Sequence, residues 1–197
     1  MMEAVLGLSR VVPVSVSALH TEADAGGNPA LLNGRVAGKQ IFEKIIRHLD
    51  HQQSEIVLPL DFQGITFLDI SCADEIICRL VARIKARELG GKFIILMNVD
   101  DTVRENVEAA LKEKKLCCLI DEGDKTRICG VISDELRETY DLAVRKSTIT
   151  TSQLQDWVSN LKLNAASNRL VRLEEMGLLY KVGAERSGRI FTYQAVA

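Results

Sequence analysis

The chain has 197 residues, 47% of them hydrophobic and 26% charged, with a formal net charge of −2. That length supplies one sizeable core and a second, smaller domain. No apolar run approaches a transmembrane span, and the first eight residues lack the basic start and long apolar stretch of a signal peptide; a cytoplasmic protein that does not engage a membrane is expected.

Cysteine and histidine usage narrows the chemistry. Cys72, Cys78, Cys117, Cys118 and Cys129 are odd in number and contain no Cys-x-x-Cys pair, which argues against a zinc site or a disulfide framework and predicts reduced, mostly buried thiols. His20, His48 and His51 show no ligand spacing. His48 and His51 fall at the end of a helix, where a C-terminal dipole is the simpler partner.

In chain order, residues 11–16 read as a strand interrupted by Pro13, and residues 21–29 as a Gly, Asn and Pro loop. Asn33-Gly34-Arg35 reads as a turn. A helix over residues 36–49 places Ile41, Phe42, Ile45, Ile46 and Leu49 on one face. Residues 54–62 follow as a buried strand, in which Pro59 is expected at an edge or bulge because it lacks an N–H for the ladder.

A helix over residues 72–89 turns Ala73, Ile76, Ile77, Leu80, Val81 and Ile84 inward and Glu75, Arg79, Arg83 and Arg87 outward, and Gly90-Gly91 ends it. The strand 93–97, a helix capped by Asp100 or Asp101 and carrying Val103, Val107, Ala110 and Leu111, and the strand 116–120 complete a βαβ alternation. Such alternation predicts an α/β fold with a mostly parallel sheet and right-handed crossovers.

Within residues 57–75, a strand ending at Asp61, a short turn with Gly64, and the step Asp69-Ile70-Ser71-Cys72-Ala73-Asp74-Glu75 resemble the STAS domain of anti-sigma-factor antagonists. The step is most similar to a divergent STAS-like group that reads Ser-x-Ala-Asp-Glu. The resemblance implies that Asp69 stands at the family Asp, and that Ile70 takes the place of the phosphorylated hydroxyl residue. Cys72 replaces the family Gly. An isoleucine cannot accept a phosphoryl group, so Ser71 is the neighbouring hydroxyl available for modification. Ser71-x-x-Asp74 also reads as a plain capping motif at a helix start, the simpler use of these residues. With Asp69, Ser71 forms the candidate switch of residues 1–132, the expected STAS-like domain, where a protein partner is expected to dock.

Residues 133–149 carry Leu136, Tyr140, Ala143 and Val144 at helical spacing behind Ser133 as a cap, and are expected to form a connector helix. Beyond it, Thr151 or Ser152 can cap a helix with Leu154, Trp157, Val158 and Leu161. After a turn, Asn164 can cap a second helix in which Ala166, Leu170 and Leu173 face inward while Asn168, Val171, Arg172 and Glu175 face away. Gly177 fits a left-handed helix end. Residues 178–182 and 189–194 then read as two strands of a hairpin with its tip at residues 183–188.

Helix, turn, helix, hairpin resembles the winged helix-turn-helix domains of bacterial transcription regulators, here over residues 150–197. The resemblance implies that the second helix enters the major groove of double-stranded DNA, with Asn164, Ser167, Asn168, Arg169 and Arg172 at base edges and Arg186 and Arg189 reaching the backbone or minor groove from the wing. From Thr148 onward there are six Lys and Arg against four Asp and Glu, a net of +2, which leaves −4 for the remainder. This footprint is only weakly basic, and a winged helix that docks protein, as in an adaptor of the anti-sigma-antagonist type, is the alternative.

No catalytic constellation emerges. Asp61 ends a strand and Asp69 precedes a helix, both common structural uses. Neither Gly26-Gly27 nor Gly90-Gly91 sits in a phosphate-cradling motif. A non-enzymatic regulator without metal or cofactor is therefore expected. A homodimer, through the helix at 133–149 or the sheet, would suit paired half-sites.

Overall fold

A computed structural model of the chain describes residues 9–10, 12–21, 28–52, 55–184 and 191–196. They fall into two compact units, Ser9–Val131 and the part from Ile132 onward.

The first unit is built on a mixed sheet. Strands β1 (Ser9–Arg10) and β2 (Val14–Ser15) precede helix α1 (Val16–Thr21), strand β3 (Leu31–Leu32) and helix α2 (Gly34–Asp50). Then come β4 (Ile56–Asp61) and β5 (Phe67–Leu68), and after them α3 (Ile70–Ala73) runs without a break through a π-helical turn (Asp74–Cys78) into α4 (Arg79–Lys85). Strand β6 (Lys92–Met97), helix α5 (Asp101–Lys114) and strands β7 (Cys117–Asp121) and β8 (Thr126–Gly130) finish the unit. The sheet order is β1-β4-β6-β7-β8, with β2 also on β4 and β3 pairing β5 apart. Pairing is parallel except between β7 and β8.

Strands that follow one another across a parallel sheet send right-handed crossovers to one face. Accordingly Ile41, Ile45 and Leu49 of α2, Ile76, Ile77 and Leu80 of the π turn and α4, and Val103, Val107 and Leu111 of α5 share one core with Leu58, Leu60, Ile94, Leu96, Cys118 and Ile120. The alternate residues Val57, Phe93, Ile95, Cys117 and Leu119 belong to the other face and are buried as well. That is why these strands read as continuous apolar runs.

Four local expectations change. Residue 16 starts a helix rather than ending a strand. The helix expected from Val36 begins at Gly34, and the one expected from Cys72 begins at Ile70. Pro59 lies in a central strand rather than at an edge, opposite a register shift: from Arg10 to Val14 the neighbour advances four residues where Val57 to Leu60 advances three. It pairs with Ile95 on one side, while on the other the ladder holds only Ile56 and Val57 with β1 and Leu60 and Asp61 with β2. The proline thus falls at a level where one ladder is already interrupted. Strand β8, with only Ile128 and Cys129 buried, was too short in its apolar pattern to be predicted. The expected Gly26-Gly27 loop lies outside the described residues.

The second unit opens with helix α6 (Asp134–Lys146), strand β9 (Ile149–Thr150) and helix α7 (Thr151–Trp157), followed by helix α8 (Leu163–Glu175) and strands β10 (Leu179–Ala184) and β11 (Phe191–Ala195). The sheet order is β10-β11-β9, all antiparallel. Helix α6 packs against α8, β9 and β11 through the buried Leu136, Tyr140 and Ala143, so the expected connector is the first helix of this unit's own core.

The cap of helix α7 falls one residue before the earlier of the two expected ones. Thr150 is the N-cap, and its hydroxyl accepts from the Gln153 amide while the Gln153 side chain accepts from the Thr150 amide, a reciprocal capping box. Trp157 ends the helix, and Val158 is already extended. Helix α8 starts at Leu163 behind Lys162, so Asn164 sits inside its first turn instead of capping it. Its end is as expected: Gly177 adopts φ +73°, its amide donates to the Glu174 carbonyl at 2.9 Å, and the Leu178 amide donates to the Leu173 carbonyl at 2.9 Å. Those two bonds, with Leu173 and Leu178 both buried, make a Schellman ending that only glycine adopts without strain.

Candidate functional site

The first unit concentrates its polar order where α2 and α3 begin. β3 and β5 run parallel side by side, in register Leu31 with Phe67 and Leu32 with Leu68, and each feeds a helix. Asp69 follows β5 and serves both helices. Its Oδ1 accepts from the Cys72 amide at 2.6 Å, and its Oδ2 accepts from the Gly34 amide at 2.7 Å. One carboxylate thereby satisfies free donors at two helix starts, where negative charge is favoured. Ser71 is half-buried in the first turn of α3, and its hydroxyl makes no hydrogen bond among the described residues. The capping role expected of Ser71 with Asp74 is held by Asp69.

Asp74 and Glu75 face outward from the π turn, where the Arg79 amide reaches back to the Asp74 carbonyl. Arg35 Nη1 lies 3.2 Å from Asp74 and 2.9 Å from Glu75, and Arg79 Nη1 lies 2.8 Å from Glu75. Partial burial opposes the Glu75 charge, but hydrogen bonds from Arg35 and Arg79 outweigh it and hold the carboxyl below its ordinary range. Arg79 also stacks 4.0 Å from the Phe42 ring centre. The two helices can meet because Gly38 lacks a side chain: a Cβ there would lie 2.8 Å from that of Glu75 and 3.1 Å from the Cys72 backbone. Around this network Leu31, Val36, Phe67 and Ile70 stay exposed. Ile70, the first residue of α3, is therefore an exposed apolar side chain.

Burial pushes the Cys72 thiol up to about 12, helped by the charges of Asp69 and Glu75, and pushes Cys78 to about 12 and Cys129 to about 11. All five cysteines are buried, and Cys72, Cys78, Cys118 and Cys129, all raised by burial, present no thiolate near neutral pH. A cavity of about 440 Å³ opens at the carboxyl ends of β6 and β7, lined by Met97, Asn98, Arg104, Ile120, Asp121 and Glu122 among others. Ligands in open parallel sheets favour that end. Here Arg104 is already paired with Asp101 at 2.6 Å, and Glu122 faces Lys125 at 3.5 Å and Arg127 at 3.7 Å.

In the second unit α8 displays the residues expected to read bases. Asn164, Asn168 and Arg172 are exposed, and among the described residues no side-chain hydrogen bond or ion pair engages them. Ser167 is half-buried. Arg169 is turned away from this face. Only 16% of its side chain is exposed, its guanidinium lies 3.9 Å from Glu135 and 3.8 Å from Glu138 of α6, and its Nη1 is buried without a hydrogen bond among the described residues. Arg186 and Arg189 lie outside the described residues.

No family model, curated protein or solved structure matches the chain. Among the described residues no helix is long and apolar enough to cross a membrane, and no group of His, Cys, Asp and Glu has the arrangement of a metal site.

Several contacts and exposures around α8 were missing from the sequence reading. Lys181 of β10 is 2.9 Å from Glu174 and 4.8 Å from the Phe191 ring centre, tying the hairpin to the helix. Trp157 and Leu163, which flank the turn between α7 and α8, are 38% and 50% exposed, and Lys146 sits 5.3 Å from the Trp157 ring centre. The Thr-x-x-Gln spacing of Thr150 and Gln153 was a readable cap signal. The exposure of Trp157 had none, because an apolar residue at helical spacing reads as core.

Proposed function

We propose that the chain is a non-enzymatic bacterial transcription regulator: the unit from Ile132 is a winged helix that binds double-stranded DNA through α8, and Ser9–Val131 is a STAS-like domain that controls it. The observation that carries this reading is the exposed, unengaged row Asn164, Asn168 and Arg172 on α8. Its setting supports it. A helix, a short strand, two helices and a two-stranded hairpin follow in order, with the short strand closing onto the last one. Such an order suits insertion of the second of the paired helices into a major groove.

In the STAS-like domain the Asp69 clasp, the exposed Ile70 and the half-buried Ser71 support a switch that works by partner docking, or by phosphorylation of Ser71, at the start of α3. A phosphoryl group there would lie at a helix N-terminus, which favours added negative charge. The test is duplex binding by the full chain across a salt series, repeated with Ser71→Asp. Affinity that falls steeply with salt and shifts with Ser71→Asp supports both halves of the reading. Identical affinities for the two chains remove the Ser71 switch.

A protein-docking adaptor is the second reading. It is favoured by the exposed Trp157 and Leu163 beside α8, and by the withdrawal of Arg169 from the surface. It is the reading that survives if no duplex binds at low salt.

A further inference from the structure

We infer that α8 selects adenine-containing major-groove sequence, with Asn164 and Asn168 as its specificity-determining residues; this deepens, and rests on, the DNA-binding reading above. Three observations lead there. Asn164 and Asn168 are four residues apart, both exposed, and both in the first half of a 13-residue helix, the half that meets base edges when such a helix docks. Arg169, the one guanidinium in that half, is held beside Glu135 and Glu138 of α6. Arg172 lies about a turn beyond Asn168, in the second half of the helix. The base-facing half of α8 therefore offers carboxamides and no exposed guanidinium.

That difference decides the base. A carboxamide carries one donor and one acceptor side by side, which matches N7 and N6–H of adenine, whereas guanine with its two acceptors selects arginine or lysine. Four residues of helix rise span about 6 Å. Base pairs stack about 3.4 Å apart. The two asparagines are thus spaced for two A·T pairs roughly two steps apart within one half-site. Exposed Ala165 lies between them and adds little bulk against a thymine methyl.

The test is selection of the full chain on a random duplex library at low salt, followed by affinity measurements on the winning duplex with each fixed adenine changed to guanine. The selected pool should fix two A·T pairs about two steps apart, and each change to G·C should weaken binding on the order of tenfold. Asn168→Ala should abolish the preference at one of the two positions and leave the other intact, while Asn168→Gln, which can make the same paired contact, should keep it. Both positions are exposed, so circular dichroism should report an unchanged fold. A pool that fixes G·C pairs, or an Asn168→Ala variant that weakens every sequence equally, overturns the inference and leaves DNA binding standing. A pool with no retained duplex overturns the DNA-binding reading itself.

Discussion

Asp69 holds the start of α2 and the start of α3 with one carboxylate, a double duty that concentrates stability in a single side chain. Losing one helix cap costs about 1 kcal/mol, and a donor left unsatisfied in a partly buried site costs about as much again. Asp69→Ala should therefore lower the unfolding free energy by about 2 kcal/mol in a urea titration, and an unchanged midpoint would refute the clasp. The thiols give a second expectation. Cys72 and Cys78 are raised in the folded chain to about 12, above the ordinary cysteine value of about 8.5. Their contribution is fully present below the unfolded value and is lost as pH rises toward the folded one. Stability should decline progressively above about pH 8.5, and Cys78→Ala should flatten part of that decline. At neutral pH a thiol reagent should leave all five cysteines unmodified until the chain is unfolded. Of this chemistry the sequence carried the burial of the cysteines, through their number and spacing, and Asp69 as a special position, through the STAS-like resemblance alone. It could not carry the bond from Asp69 to Gly34, which joins residues 35 apart, nor the turning of Arg169 onto α6.

Among the elements, the close approach of α2 to the π turn and the exit of α8 are both decided by a glycine. Replacing glycine by alanine inside a helix ordinarily stabilises it by about 1 kcal/mol. At Gly38 the added Cβ meets Glu75 and the Cys72 backbone, and overpacking of this kind costs about 1–3 kcal/mol. Gly38→Ala should therefore destabilise; a stabilised variant would show that the helices do not pack so closely. Gly177→Ala should cost about 1 kcal/mol through its left-handed φ, measured by thermal unfolding. Long elements were readable: α2, α4, α5 and α8 and strands β4, β6 and β7 follow from apolar periodicity. Short ones were not. β9 is two residues long, and β3 and β5 likewise, so no window of alternation reveals them. Helix α6 was recognised, but its packing against α8, β9 and β11 was not legible, because Leu136, Tyr140 and Ala143 form the same stripe whether the helix bridges domains or builds the core of one.

Taken whole, the molecule pairs an α/β unit that carries a polar clasp and an apolar rim with a unit that carries an exposed polar helix. If α8 binds DNA as proposed, its two arginines divide the labour, one serving binding and the other folding. Arg172→Ala should weaken duplex binding and leave the melting temperature unchanged. Arg169→Ala should instead lower the melting temperature, since it strips a mostly buried side chain from the α6–α8 contact, and a variant that melts normally but loses DNA would reverse the two roles. The most direct measurement is the affinity of the full chain for duplex DNA as salt is raised from low to physiological concentration. A logarithmic plot that falls steeply and linearly, with a shallower slope for Arg172→Ala, is the expected result. No measurable duplex binding at the lowest salt would contradict it.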